Sequence, residues 1–293
     1  METKPKKKPT KSRTTNGRSA RTPISQLKSS AVARHICNLV PSTDTESDWS
    51  YQTSVNSGAL GAAVAAPPKS VDLRAPWWTI NDQGVTGSCV GWATGDGVVR
   101  YMMVKAGRID QATMLSPRHI WMASKETDSF VSRPESFIEE AGTTLKAAAD
   151  VARKHGVALN DALPFHIADA MYSGNEDDFY AACATRKISQ YFNLGKNLTH
   201  WKTWLATKGP ILVGLHVESA WDAAADNVGE IDTFDAGSVR GGHAVCIVGY
   251  RLDGRFIVRN SWGTTWGDNG FGYVHPDYIA ASFFNESYGM TVL

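Results

Sequence analysis

The feature that most restricts the fold of this chain is a pair of apolar runs, residues 244–250 and 256–258, on either side of Leu252, Asp253, Gly254 and Arg255. Asp-Gly between two such runs is the chemistry of a hairpin turn, because a reversal this tight needs backbone with positive φ. His243 stands just before the first run and Asn260 just after the second. They are 17 residues apart in sequence, and antiparallel pairing brings them to near-neighbouring rungs. A further run, residues 211–217, follows Gly209 and Pro210 and alternates loosely, as a third strand would.

Upstream the period changes. Residues 89–106 carry Val90, Trp92, Ala93, Val98, Tyr101, Met102 and Val104 at helical spacing. Gly91, Gly95 and Gly97 interrupt it, each costing up to about 1 kcal/mol against alanine, so tertiary packing must hold this helix and other backbone can approach it closely. Residues 116–125 and 143–155 also read as helices, the second capped by Thr143 or Thr144 and closed by Gly156. Helices first and strands later predict an α+β fold of two lobes, helical over about 80–165 and strand-built over about 166–293.

Residues 1–66 have a different texture and are expected to be an extension of the body formed by 67–293. The formal net charge of +1 hides an asymmetry: residues 1–28 hold nine Lys or Arg against Glu2, a charge of +8, which leaves −7 on the rest. A Lys, Arg, Ser, Thr and Pro tail of this kind is too polar to bury itself. It could meet nucleic acid or anionic lipid, or dock on the acidic body, and the last is favoured, with no nucleic-acid partner expected. One short helix is predicted near residues 24–39, and residues 59–66 read as a linker ending at Pro67 and Pro68. No run of eighteen apolar residues occurs, so no transmembrane helix is expected, and no apolar stretch after the basic one forms a signal peptide. Cys37, Cys89, Cys183 and Cys246 lie far apart with no close pair. That spacing argues against a zinc site, and no cofactor is expected; free thiols in a reducing compartment such as the cytoplasm are the default, and the chain is expected to be a soluble monomer.

Cleaving an amide with a side-chain nucleophile needs that nucleophile, a base beside it, an orienter for the base and donors aimed at the oxyanion. Cys89 follows Gly87 and Ser88 at the first turn of the predicted helix, where the positive dipole end favours thiolate. His243 follows two glycines that leave room for another chain. Asn260 can accept the second imidazole N–H and fix its tautomer. Gln83, six residues before Cys89, can aim its amide N–H where the Cys89 backbone N–H also points.

Three blocks together, residues 83–89 (Gln-Gly-Val-Thr-Gly-Ser-Cys), 242–245 (Gly-His-Ala-Val) and 260–271 (Asn-Ser-Trp-Gly-Thr-Thr-Trp-Gly-Asp-Asn-Gly-Phe), resemble the active-site blocks of the papain family. Val71-Asp72-Leu73-Arg74, Leu115-Ser116-Pro117 and Gly209-Pro210 extend the resemblance over about residues 70–293. It implies the papain-like two-lobe fold, a helical left lobe facing a β-barrel-like right lobe across the active-site cleft. It further implies a cysteine endopeptidase acting on protein or peptide substrates through a Cys89 thiolate, a His243 imidazolium and an acyl-enzyme, with Asn260 orienting His243 and Gln83 holding the oxyanion. Trp262 is expected to shield the His–Asn bond, and Trp266 to line the leaving-group side. Gly242, Ala244 and the strand near Leu212 and Leu215 are expected to border the substrate. Transglutaminase- or deamidase-type acyl transfer on the same triad and a non-catalytic binding protein using the basic tail are the alternatives.

Thr86 stands where the papain signature has a cysteine, and Val90 where it has an aromatic. The missing disulfide fits a prokaryotic branch. His243 and Asn260 follow Cys89 by 154 and 171 residues, some 20 beyond the roughly 130–150 of the family, so extra loops are expected at 127–142 and 168–178. Residues 1–66 stand where relatives carry an inhibitory propeptide, and their part from about 20 to 66 is expected to lie in the cleft.

Overall fold

The computed structural model describes residues 35–61, 66–127, 141–166 and 174–292. In chain order its main elements are α1 (Tyr51–Asn56), β1 (Val71–Asp72), a helix α2 that runs as Cys89–Gly91, Trp92–Val99 and Arg100–Lys105, α3 (Pro117–Thr127), α4 (Leu145–Lys154) and α5 (Glu176–Ala184). The second half holds β2 (Gln190–Asn193), α6 (Leu198–Thr207), β3 (Ile211–Val217), α7 (Ser219–Ala223), β4 (Glu230–Ile231), β5 (Gly241–Tyr250), β6 (Phe256–Arg259), β7 (Phe271–Val274), α8 (Pro276–Ser282) and β8 (Phe283–Thr291). The strands form one sheet in the order β2-β8-β3-β5-β6-β7-β4, with β1 added beside β5.

Strand β5 is the partition of the molecule. Successive side chains of a strand point to opposite faces. Ala244, Cys246 and Val248 pack into a core shared with α2, α3 and α4, while Val245 and Ile247 pack into a second core with Trp201, Trp204 and the strands around them. Both faces are therefore buried, which is why residues 244–250 read as an unbroken apolar run. The predicted hairpin is present: β5 and β6 pair antiparallel with Tyr250 opposite Phe256, and a bulge between Ile247 and Gly249 shifts the register toward Cys246 opposite Arg259.

Helix α2 is held by packing. A Cβ at Gly91 would lie 2.2 Å from the Pro117 carbonyl oxygen, and one at Gly95 would lie 3.3 Å from that of Ser116, so α3 crosses α2 in backbone contact. The middle of the helix widens to π geometry over Trp92–Val99, with Gly97 outside helical dihedrals. There Asp96, fully buried, accepts from Arg100 at 2.8 Å and from Arg259 at 2.7 Å. This charge cluster ties α2 to the residue before Asn260. Helix α4 starts as its capping residues required, with Thr144 Oγ1 accepting from the Ala147 N–H.

Residues 35–61 pack along the body. Ile36–Val40 run without regular structure, so the helix expected near 24–39 is absent from its described part, and residues 24–34 lie outside the described residues. Backbone bonds to the body, Leu39 N–H to the Gly242 carbonyl at 2.9 Å and Val40 N–H to that of Thr143 at 3.1 Å, satisfy the donors a helix would have used. Farther on, the Ser42 N–H bonds the Glu286 carboxylate, Asp48 pairs with Lys146 and accepts from Tyr288 Oη, and α1 follows. The expected extra loops fall largely outside the described residues, over 128–140 and 167–173. The second is shorter than expected, because Asn175 already caps α5.

Candidate active site

Hairpin geometry places His243 Nε2 2.8 Å from Asn260 Oδ1. The same Oδ1 accepts the Ser261 N–H at 2.8 Å, so it is the acceptor, and the Nε2 proton is donated to it. The lone pair of a neutral imidazole then lies on Nδ1, an atom that is buried and has no hydrogen-bond partner among the described residues. Trp262 lies 4.9 Å from the imidazole, centroid to centroid, and Trp221 meets it edge-on at 5.8 Å.

Cys89 opens α2, and its sulfur lies against the backbone N–H groups of Ala244, Val90 and its own residue. The helix terminus was expected to favour thiolate, but burial dominates here and pushes the Cys89 thiol up to about 11. Burial likewise lowers His243 to about 3, against the opposing effect of its bond to Asn260. Burial thus works against the charged form of both thiol and imidazole while the site is covered.

Gln83 is fully buried. Its Oε1 accepts from Ser261 Oγ at 2.8 Å, which fixes the amide, and its Nε2 donates to the Thr86 carbonyl at 2.9 Å and to the Ile36 carbonyl at 3.3 Å. Thr86 Oγ1 returns a bond to the Gln83 carbonyl and shares one of 2.6 Å with Ser88 Oγ. Hydroxyls hold the loop that a disulfide would otherwise close.

The cover is residues 35–40. His35 stacks on Trp262 at 4.8 Å with rings 13° apart, and its Nε2 lies 3.1 Å from the Asp82 carboxylate. Next come the Ile36 carbonyl on Gln83 and then Cys37, whose carbonyl oxygen lies 1.9 Å from where a Cβ on Gly241 would stand. A Cβ at Gly142 would meet the Asn38 carbonyl at the same distance, so only glycines admit this chain. Leu39 sits against Gly214, and Phe284 backs both Gly214 and Gly242.

Cys89, His243, Asn260, Gln83, Gly242 and Trp262 therefore converge. Ala244 joins them through its backbone N–H, its side chain lying in the core beneath. Trp266 stands one layer back: its indole N–H donates to the Trp221 carbonyl at 2.8 Å and its ring stacks on Trp221 at 5.5 Å, so it supports Trp262 from behind. Three residues of this site were not singled out from sequence. Trp221 and Arg240, the latter over the Trp262 face at 5.7 Å and paired with Asp222, carry no motif. Ser261 lies inside the Asn-Ser-Trp block, and its hydroxyl was the available signal.

Residues 67–286 match the model of the papain family of cysteine proteases, and the chain belongs to that family. Among curated proteins it is 26% identical over 209 residues to an uncharacterized peptidase C1-like protein of Acanthamoeba polyphaga mimivirus, covering 68% of this chain and 65% of that one. It is 26% identical over 211 residues to cathepsin J of Mus musculus, covering 68% and 57%. It thus spans roughly three fifths of the length of these relatives. The crystal structure of xylellain, a cysteine protease from Xylella fastidiosa, superposes with a TM-score of 0.72 at 22% identity, over 89% of this chain and 97% of that one. The papain-like two-lobe fold expected from the sequence is the fold of this chain.

Proposed function

We propose that this chain is a cysteine endopeptidase held latent by its own N-terminal segment. The observation that carries the proposal is the imidazole donating to Asn260 through Nε2 while its Nδ1, turned away from that bond, is left with a buried lone pair. With the cleft open to water, Nδ1 takes the Cys89 proton and the thiolate attacks a scissile carbonyl. The Gln83 amide and the Cys89 backbone N–H stabilise the oxyanion. The resulting imidazolium protonates the leaving amine, and the neutral ring then activates water to free the acyl group. Residues 67–293 carry this chemistry, and residues before 67 regulate it.

Direction explains why the segment is not cut. The leaving amine, the C-terminal half of a substrate, must lie beside His243, toward Trp262. A substrate therefore runs from the Gly142 side toward Trp262. The segment begins at Trp262 with His35 and reaches Thr143 with Val40, the opposite polarity, so its Ile36 carbonyl occupies the Gln83 amide without a correctly placed leaving group. Leu39, between Gly214 and Phe284, marks a pocket for a branched aliphatic side chain.

The test is hydrolysis of fluorogenic peptides by the full chain and by a protein beginning at Pro67. The shorter protein is expected to be faster, to prefer leucine over arginine two residues before the scissile bond, and to be silenced by Cys89→Ala. Equal rates would remove the latency proposal; labelling of Cys183 or Cys246 in place of Cys89 by an epoxide inhibitor would remove the catalytic one. A donor amine outcompeting water would turn the reading to acyl transfer.

A further inference from the structure

Cys37 has no part in the chemistry above, yet it lies in the segment that crosses the site, its carbonyl against Gly241. The residues flanking it are pinned on both sides: the Ile36 carbonyl to the Gln83 amide at 3.3 Å, the Leu39 N–H to the Gly242 carbonyl at 2.9 Å. Its own backbone presses into the space that Gly241 leaves, two residues before His243. Cys37 thus crosses the strip between Gln83 and His243, with its side chain against the strand lobe and its sulfur 3.8 Å from the His35 carbonyl, within electrostatic reach of Cys89. Cys183 and Cys246 are buried in the cores, whereas Cys37 is only partly covered.

We propose that Cys37 is a resolving thiol for Cys89: under oxidising conditions the two sulfurs join in a disulfide that turns a displaceable cover into a reversible covalent lock. This rests on the reading that residues 35–40 occupy the cleft of an active enzyme. In the closed form burial pushes Cys37 up to about 12 and Cys89 up to about 11, so neither thiol attacks an oxidant there. When the segment lifts, His243 takes the Cys89 proton, and the thiolate attacks one sulfur of a low-molecular-weight disulfide such as oxidised glutathione, releasing one small thiol. As the segment begins to re-dock, with the cleft still open to water, Cys37 gives its proton to solvent and attacks the Cys89 sulfur of the mixed disulfide, and the second small thiolate leaves and takes up a proton. Two electrons and two protons pass from the protein thiols to the oxidant, and one S–S bond forms as one is broken. A tethered thiol has an effective concentration of about millimolar or more, so it resolves the mixed disulfide ahead of dilute glutathione.

The experiment treats the full chain with oxidised glutathione, alkylates the remaining thiols and maps peptides without reduction. A cross-linked pair containing Cys37 and Cys89 is expected. Epoxide labelling of Cys89 should be lost, because a disulfide offers no thiolate, and should return with dithiothreitol. In Cys37→Ser the same treatment should leave Cys89 as its glutathione mixed disulfide. A mixed disulfide at Cys89 in the wild-type chain as well, or Cys89 joined to another cysteine, overturns the proposal. Labelling rates of the reduced full chain and of the protein beginning at Pro67 separate the two readings. Equal rates remove the occupied cleft itself, whereas a slower full chain that yields no Cys37–Cys89 pair removes the disulfide alone.

Discussion

The helix that bears Cys89 and the hairpin that bears His243 reach one cleft by opposite means. The hairpin is local: β5 and β6 are joined by a five-residue connection, and their ladder alone sets His243 beside Asn260. The helix depends on distant partners. Three glycines and a π stretch weaken it as a helix, and it is placed by the Pro117 backbone against Gly91 and by Arg259 on Asp96. The His243–Asn260 pair is a property of one supersecondary unit, whereas the distance from thiol to imidazole is a property of the whole fold.

Four measurements test that contrast. The largest effect is expected on activity, because residues acting as a unit fail together. Cys89→Ala and His243→Ala should each lower kcat of the protein beginning at Pro67 by about a thousandfold or more, with unchanged unfolding curves. Next is the bridge between the regions. Arg259→Leu leaves the buried Asp96 with Arg100 as its charged partner and a long bond from Asn81 at 3.4 Å, and should cost about 3–5 kcal/mol in denaturant unfolding, with loss of activity in the molecules that remain folded. A loss below 1 kcal/mol would mean that the lobes are held together elsewhere.

The pH dependence of stability should come partly from the helical lobe. His119 in α3 is fully buried, accepts the Ala158 N–H on Nδ1 and is held down to about 4 by burial. Between pH 6.5 and 4 the unfolded chain takes a proton that the folded one refuses. Its contribution is therefore complete above pH 6.5 and falls by about 3 kcal/mol on acidification to pH 4. His119→Asn, which keeps an acceptor but does not titrate, should flatten that part of a Tm-against-pH curve. The smallest effects compare the two regions through glycine. Gly91→Ala forces a methyl onto the Pro117 carbonyl and should cost about 2 kcal/mol. Gly254→Ala has open space, with Pro276 3.9 Å away, but sits at φ +91° and should cost about 1 kcal/mol. The reverse order would show the hairpin to be the more demanding element.

Legibility in sequence followed the same division. Asp253-Gly254 between apolar runs announced the hairpin and with it the His243–Asn260 pair, because turn chemistry and strand period are local. Gln83 was legible by its distance from Cys89, but its lock on Ser261 was not, since 178 residues separate them. Trp221 and Arg240 escaped because an aromatic or cationic side chain carries no sign of which ring it will meet. The path of residues 35–40 was expected only as a segment somewhere in the cleft. Which carbonyl takes the Gln83 amide, and in which direction the chain runs, depends on glycines at 142 and 241 that are far away in sequence.

By itself the sequence determined the order of helices and strands, the turn, the caps and the family blocks, all of which act within a few residues along the chain. Only the tertiary structure decided that Cys89 lies fully buried in a site crossed by residues 35–40, where burial raises its pKa. Burial, which the fold supplies, outweighs the helix dipole that the sequence supplies.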